Sequence, residues 1–164
     1  MNLSTKMLQE LNQQLNRELY SAYLYLSMSA WFTQQNYSGF ALWMKLQSKE
    51  EFEHAMKFYH YIHSRGGKVE LEQIQKPKNS WQSPLEAYED TYKSEQEVTQ
   101  HIHNLVKLAK EENDYATEVF LQWFVSEQVD EEAAADEIVQ QLKMIGDSPQ
   151  ALFLIDKKAG KRKE

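Results

Sequence analysis

Glycine and proline occupy only eight positions of this 164-residue chain, Gly39, Gly66, Gly67, Gly146, Gly160, Pro77, Pro84 and Pro149. They leave long uninterrupted stretches rich in Leu, Gln, Glu, Lys and Ala, the composition of helices and not of strands. As one helix, Leu85 to Ile145 would run about 92 Å at 1.5 Å per residue, so a break is expected inside it. Glu112-Asn113-Asp114 supplies that break, with Asp114 as N-cap. The spacing predicts four long helices, Ser4 to Gln35, Ser38 to Arg65, Pro84 to Glu111 and Asp114 to Ile145, and a short fifth from Pro149 to about Lys158. Ser83-Pro84 and Ser148-Pro149 each set a capping hydroxyl before a proline at the first helical position, while Gly66 and Gly146 fall just past helix ends. Two of the connections are short enough to force antiparallel neighbours. The segment from Gly66 to Ser83 instead reaches up to about 60 Å when extended, enough to run back along a helix of about 42 Å. A single all-α domain over 1–164 is expected: an antiparallel four-helix bundle, about 4–145, with one long crossover, a short C-terminal helix and a basic tail.

The absence of cysteine excludes disulfides, thiolate zinc sites and iron–sulfur clusters, and permits a cytoplasmic location. The opening MNLSTKMLQELNQQ lacks an apolar signal core, and no apolar run approaches the roughly 20 residues of a membrane span. With 18 Lys+Arg against 25 Asp+Glu, the net charge of −7 argues against nucleic acid as a partner and for a surface that draws cations. Residues 157–164, KKAGKRKE, carry five basic groups and one acid, or +4, so the remaining 156 residues carry −11. That end is read as a frayed, solubilising tail.

Writing each helix's apolar stripe in alternating three- and four-residue steps exposes one anomaly four times. The stripes read Leu11, Leu15, Glu18, Ala22, Tyr25, Ser29, Phe32; Phe40, Trp43, Gln47, Glu51, His54, Phe58, Tyr61; Tyr88, Thr91, Glu95, Val98, Ile102, Leu105, Ala109; and Phe120, Phe124, Glu127, Glu131, Ala134, Ile138, Leu142, with Gln128 one step beside the last. Every stripe carries an acid near the midpoint of its helix, and midpoints coincide whichever way a helix points. In a bundle the acids therefore share one layer of the core. A single ionised carboxylate buried without a partner costs several kcal/mol, and four in one layer add mutual repulsion. No Lys or Arg lies on the stripes beside them, so cations from solution are the compensating charge. Glu18, Glu51, Glu95 and Glu131 sum to −4, which two divalent ions cancel. Glu51 and His54, three apart on one face, can serve the same pair of ions. One nitrogen among many hard oxygens favours Fe(II) or Mn(II) over a zinc, magnesium or calcium site.

Asn16-Arg17-Glu18-Leu19-Tyr20, Glu50-Glu51-Phe52-Glu53-His54-Ala55 and Phe124-Val125-Ser126-Glu127-Gln128-Val129-Asp130-Glu131-Glu132 resemble the motifs of the ferritin family, and the resemblance covers essentially the whole chain. It is strongest to the non-haem bacterial and archaeal ferritins. The resemblance implies iron storage: a 24-subunit homo-oligomeric shell that oxidises Fe(II) with dioxygen or peroxide at an intra-subunit di-iron ferroxidase centre and keeps ferric mineral inside. Carried over by position, Glu18 and His54 would bind the first iron, Glu51 would bridge, and Glu95 with Glu131 would bind the second. Gln128 matches a glutamine that hydrogen-bonds beside the centre, and Tyr25 a tyrosine placed against it. Glu50, Glu127, Asp130 and Glu131 match a third iron site, with Asp130 one methylene shorter than the usual glutamate. Bacterioferritins repeat E-x-x-H on the fourth helix, whereas Glu127-Gln128-Val129-Asp130 has no histidine, so no haem is expected. A di-metal enzyme acting on a small substrate and a metal-free helical interaction module are the alternative readings; iron uptake and particle size separate the three.

Overall fold

The computed structural model describes residues 2–164 and contains five helices: α1 Thr5–Gln34, α2 Ser38–Ser64, α3 Pro84–Glu111, α4 Tyr115–Ile145 and α5 Pro149–Ala159. Four of their N-termini are capped by side chains. Ser4, Ser83, Asp114 and Ser148 accept from the backbone N–H groups of Met7, Glu86, Thr117 and Ala151 at 2.9, 3.2, 3.1 and 3.3 Å, with Pro84 and Pro149 opening α3 and α5. The two short turns both pivot on an asparagine in the left-handed region, Asn36 at φ 66° and Asn113 at φ 55°. Asparagine tolerates that conformation better than other residues with a Cβ, which explains two tight turns made without glycine.

α1 packs on α2 and α3 on α4 as antiparallel hairpins, and together they form a four-helix bundle. The crossover from Gly66 to Ser83 is held against α1 by an asparagine ladder. Asn12 donates to the Lys68 carbonyl at 3.0 Å and accepts from the Glu70 N–H at 2.7 Å. Asn16, one turn on, donates to the Glu70 carbonyl and accepts from the Glu72 N–H, both at 2.9 Å. Each side-chain amide supplies the donor and acceptor pair that a neighbouring strand would offer, so extended backbone keeps its hydrogen bonds without a sheet. Farther along, Ser27 holds the Lys78 carbonyl at 2.8 Å, and Trp81 buries its ring on Trp31 with centroids 5.7 Å apart.

The apolar core is divided in two. One cluster contains Tyr25, Phe32, Phe40, Trp43, Tyr88 and Leu142; the other contains Met7, Leu11, Phe58, Ile62, Ile102 and Phe124. Every long helix passes from one cluster to the other through a polar stretch: Glu18 in α1, Gln47 to His54 in α2, Thr91 to Glu95 in α3, and Gln128 to Glu131 in α4.

Burial on α4 differs from the expected stripe. Leu121, Gln128 and Ala135 are buried, Phe120 and Glu127 are half-buried, and Ala134 is exposed. Stepping by four first or by three first shares Phe124, Glu131, Ile138 and Leu142, so the periodicity alone does not choose between the two phases. Packing does. Phe120 stacks flat on Tyr61 of α2, centroids 3.9 Å apart, at the rim of the bundle.

The C-terminal end differs more. α5 lies on α2 and α4, and Asp156, buried within it, accepts from the Phe40 N–H at 2.8 Å. It thereby caps α2, whose own N-cap residue, Tyr37, makes no side-chain cap bond. A Cβ on Gly39 would lie 1.7 Å from the Asp156 carbonyl oxygen, so only glycine lets the two helices approach. The tail beyond is not simply frayed: Arg162 lies over the Trp43 ring at 4.5 Å and bonds to α2. Among the described residues, no helix is long and apolar enough to cross a membrane.

Candidate metal centre

Glu18, Glu51, Glu95 and Glu131 are 1, 1, 1 and 6% exposed, and His54 is 4% exposed. Four helices thus deliver four carboxylates and one imidazole to a single dry layer. Their ligand atoms fall into three groups, each with members within 4.8 Å of one another: Glu18, Glu51 and His54; Glu51, Glu95 and Glu131; and His54, Glu127 and Glu131. The first two share Glu51, which places that carboxylate between two potential ion positions. His54 Nδ1 stands 3.4 Å from Glu51 Oε2 and 3.9 Å from Glu18 Oε2, while Nε2 is 4.0 Å from Glu127 Oε1. Two ligands each about 2.0–2.2 Å from one first-row ion fall roughly 3 Å apart, close to the Glu51–His54 separation. Trp123 and Phe124 meet the imidazole edge-on at 5.3 and 6.0 Å and restrict its rotation.

Neutral donors surround the acids. Gln14, fully buried, donates to Glu18 Oε1 at 2.8 Å. Gln47 donates to Glu131 Oε2 at 2.6 Å and to Glu51 Oε1 at 3.2 Å. Tyr25 donates to Glu95 Oε1 at 2.5 Å, and Gln128 donates to Glu95 Oε2 at 3.2 Å. Glu18 Oε2 is buried with no hydrogen-bond partner, a lone-pair oxygen aimed into the layer. Gln14 and Gln47 were not singled out from the sequence, although each stands four residues before its acid on the same helix face; that spacing is the signal that was there to read.

Neutral amides and a phenol do not offset four negative charges. Burial drives Glu18 well above the ordinary carboxylate range, and repulsion from Glu51 adds to it. Burial and then Glu95 do the same to Glu51. Glu95 is also raised, burial outweighing the hydrogen bonds from Tyr25 and Gln128. Burial and the charge of Glu95 push Glu131 up to about 8. Burial likewise raises the Tyr25 phenol well above its usual value, ahead of the neighbouring Glu95 and Glu51 charges, so it remains a hydrogen-bond donor. Metal-free, the layer therefore holds protons at neutral pH; divalent ions can replace them.

The outer acids are arranged differently. Glu127, half-buried, faces His54. Glu50 Oε2 accepts from Arg162 Nη2 at 2.6 Å. Asp130 is exposed on α4 and belongs to none of the three groups. Of the residues expected to form a third site, the structure brings Glu127 and Glu131 together through His54, while Glu50 faces the tail and Asp130 faces outward.

The ferritin-like domain family model matches residues 8–145. Bacterial non-haem ferritins of Staphylococcus aureus and Bacteroides fragilis are 41% and 42% identical over 160 residues, covering 98% of this chain and 96% and 99% of theirs. An open-pore ferritin from the hyperthermophilic archaeon Archaeoglobus fulgidus superposes with a TM-score of 0.98 at 47% identity, over 99% of this chain and all of that one. A closed form engineered from the Archaeoglobus protein superposes at 0.97, with the same identity and 99% of both chains covered. With its family motifs running through all four long helices, the chain belongs to the ferritin family.

Proposed function

We propose that this protein is an iron-storage ferritin whose subunit oxidises Fe(II) within the acidic layer. The observation that carries the reading is the convergence of Glu18, Glu51, His54, Glu95 and Glu131 in a buried layer in which no Lys or Arg is buried among the described residues. Glu18 and His54 take one ferrous ion, Glu95 and Glu131 take the other, and Glu51 bridges them. Two Fe(II) give one electron each to dioxygen, which takes up two protons and leaves as hydrogen peroxide. Peroxide as oxidant accepts the same two electrons with two protons, its O–O bond breaks, and two water molecules leave.

The chain's own groups set the stage for that transfer. Gln14, Gln47 and Gln128 hold the carboxylates in ligating rotamers, and Tyr25 keeps Glu95 turned inward. The protons displaced from the acids by incoming ferrous ions are available to the reduced oxidant. A third ion beside the pair would draw on Glu127 and Glu131, which stand together at His54, and would need Glu50 and Asp130 to turn toward it. Ferric product leaves for mineral inside a homo-oligomeric shell, taken to hold 24 subunits as ferritins do. Exposed Phe153 and Leu154 on α5, 57% and 65% accessible in the single chain, support burial of that helix between subunits.

The test is aerobic ferrous oxidation followed by absorbance. Glu51→Ala removes the shared ligand and is expected to slow the fast phase roughly 10- to 100-fold or more, and Asp130→Ala far less. Equal fast phases in wild type and Glu51→Ala would defeat the ferroxidase assignment. Size-exclusion with iron analysis of the peak separates a mineral-filled shell from a small di-metal enzyme.

A further inference from the structure

The docked tail reaches the metal layer through two atoms of one side chain. Arg162 Nη1 donates to Gln47 Oε1 at 2.8 Å, and Nη2 donates to Glu50 Oε2 at 2.6 Å. Nη1 also points to the Trp43 carbonyl at 3.4 Å, and the guanidinium lies over the Trp43 ring. Arg162 is only 19% exposed at its side chain, although its neighbours Lys161, Lys163 and Glu164 are charged and open to water.

The consequence for Gln47 is directional. A guanidinium only donates, so it fixes the carbonyl oxygen of the Gln47 amide outward and its NH₂ inward. That NH₂ is the group bonded to Glu131 and Glu51. A chain of hydrogen bonds thus runs from the tail through Gln47 to the bridging carboxylate. Along the second arm, Glu50 is held by a charge-assisted bond to the guanidinium and joins none of the groups of close ligand atoms that contain Glu127 or Glu131. The strap is anchored upstream, since Asp156 caps α2 and Gly160 sits against Gly39, where a Cβ on Gly160 would lie 3.0 Å from the Gly39 Cα.

We propose that Arg162 is a positioning residue of the metal layer: it orients Gln47 toward Glu51 and Glu131, and it occupies Glu50, so that the subunit binds two divalent ions tightly and a third only once the guanidinium is displaced. This rests on the di-metal reading above and adds what sets the number of ions. Arg162 is the positive charge that Glu50 holds in place of a third ion. In the assembled protein it also connects metal loading to the docking of α5, because the tail that must move for a third ion is the continuation of that helix.

The experiment is a calorimetric titration of cobalt(II), which dioxygen does not oxidise in this setting, into the metal-free, full-length assembled protein, with the visible cobalt spectrum as second readout. Wild type is expected to take two tight ions per subunit. Arg162→Ala is expected to add a third, bound at least about tenfold tighter than any third ion in wild type, with new cobalt absorption of an all-oxygen site. Adding Glu50→Gln to Arg162→Ala should abolish that third ion. Lys163→Ala removes the same charge from the exposed tail and should leave the wild-type isotherm. Should Arg162→Ala fail to assemble, Arg162→Gln keeps part of the side-chain stem while removing the charge and carries the same expectation. Two tight ions in wild type, with an unchanged isotherm and spectrum in the Arg162 variants, would overturn the inference and leave the di-metal reading standing. Three equally tight ions in wild type would also overturn it. No tight ion in wild type would instead remove the di-metal reading itself.

Discussion

Divalent ions entering the acidic layer must expel protons, and the structure sets the scale of that release. Glu131 is held at about 8 by burial and by the charge of Glu95. At pH 7 it is therefore mostly protonated in the metal-free fold, and at pH 9 mostly ionised. Glu18 and Glu51, raised well above the usual range by burial first and by neighbouring acids second, add to the count at neutral pH. The release on loading is thus expected to exceed about one proton per subunit at pH 7 and to decline toward pH 9. Titrating cobalt(II) in buffers of different ionisation enthalpy measures it directly, because the apparent heat changes with buffer in proportion to the protons released. Glu131→Gln, which keeps an oxygen to accept from Gln47, should release about one proton fewer at pH 7. Buffer-independent heats at pH 7 would mean that the carboxylates are already ionised. The layer would then have to draw compensating charge from somewhere other than protons or metal, and the reasoning from burial would fail.

The same acids make the metal-free fold sensitive to alkali: their folded values lie above the unfolded ones, so their contribution to stability is full below about pH 4.5 and is lost as pH rises toward about 8 for Glu131. Urea midpoints taken with chelator should fall between pH 5.5 and 9 and recover when metal is added; a midpoint that rises with pH contradicts this. Tyr25→Phe conserves volume but removes the donor to Glu95, and is expected to lower metal-free stability by about 1–3 kcal/mol, readable as a shift of the same urea midpoint. Gly39→Ala drives a Cβ into the Asp156 carbonyl, so α5 should undock and size-exclusion should show a smaller or heterogeneous particle; an unchanged particle would mean that α5 does not depend on this contact.

Much of the molecule was legible in one dimension because its determinants are local. Sparse glycine and proline, Ser-Pro starts and an 18-residue crossover specify helix ends and connection order without reference to distant residues. Acids near the midpoint of four apolar stripes mark one layer, because antiparallel helices of similar length share their centre; the structure brings Glu18, Glu51, His54, Glu95 and Glu131 into that layer. What needed tertiary structure was everything decided at an edge or across a gap in sequence. Two phases of the α4 stripe fit the same periodicity, and contact with α3 through Gln128 and with α2 through Phe120 puts Gln128 inside and Glu127 at the rim. That the amides of Gln14 and Gln47 donate to Glu18, and to Glu131 and Glu51, is set by side-chain orientation inside the bundle. The tail reads as solvated charge because five basic groups in eight residues cannot form a core. That Arg162 finds Gln47 and Glu50, more than 110 residues away, follows from α5 packing on α2 through Gly39, a three-dimensional approach that periodicity does not encode.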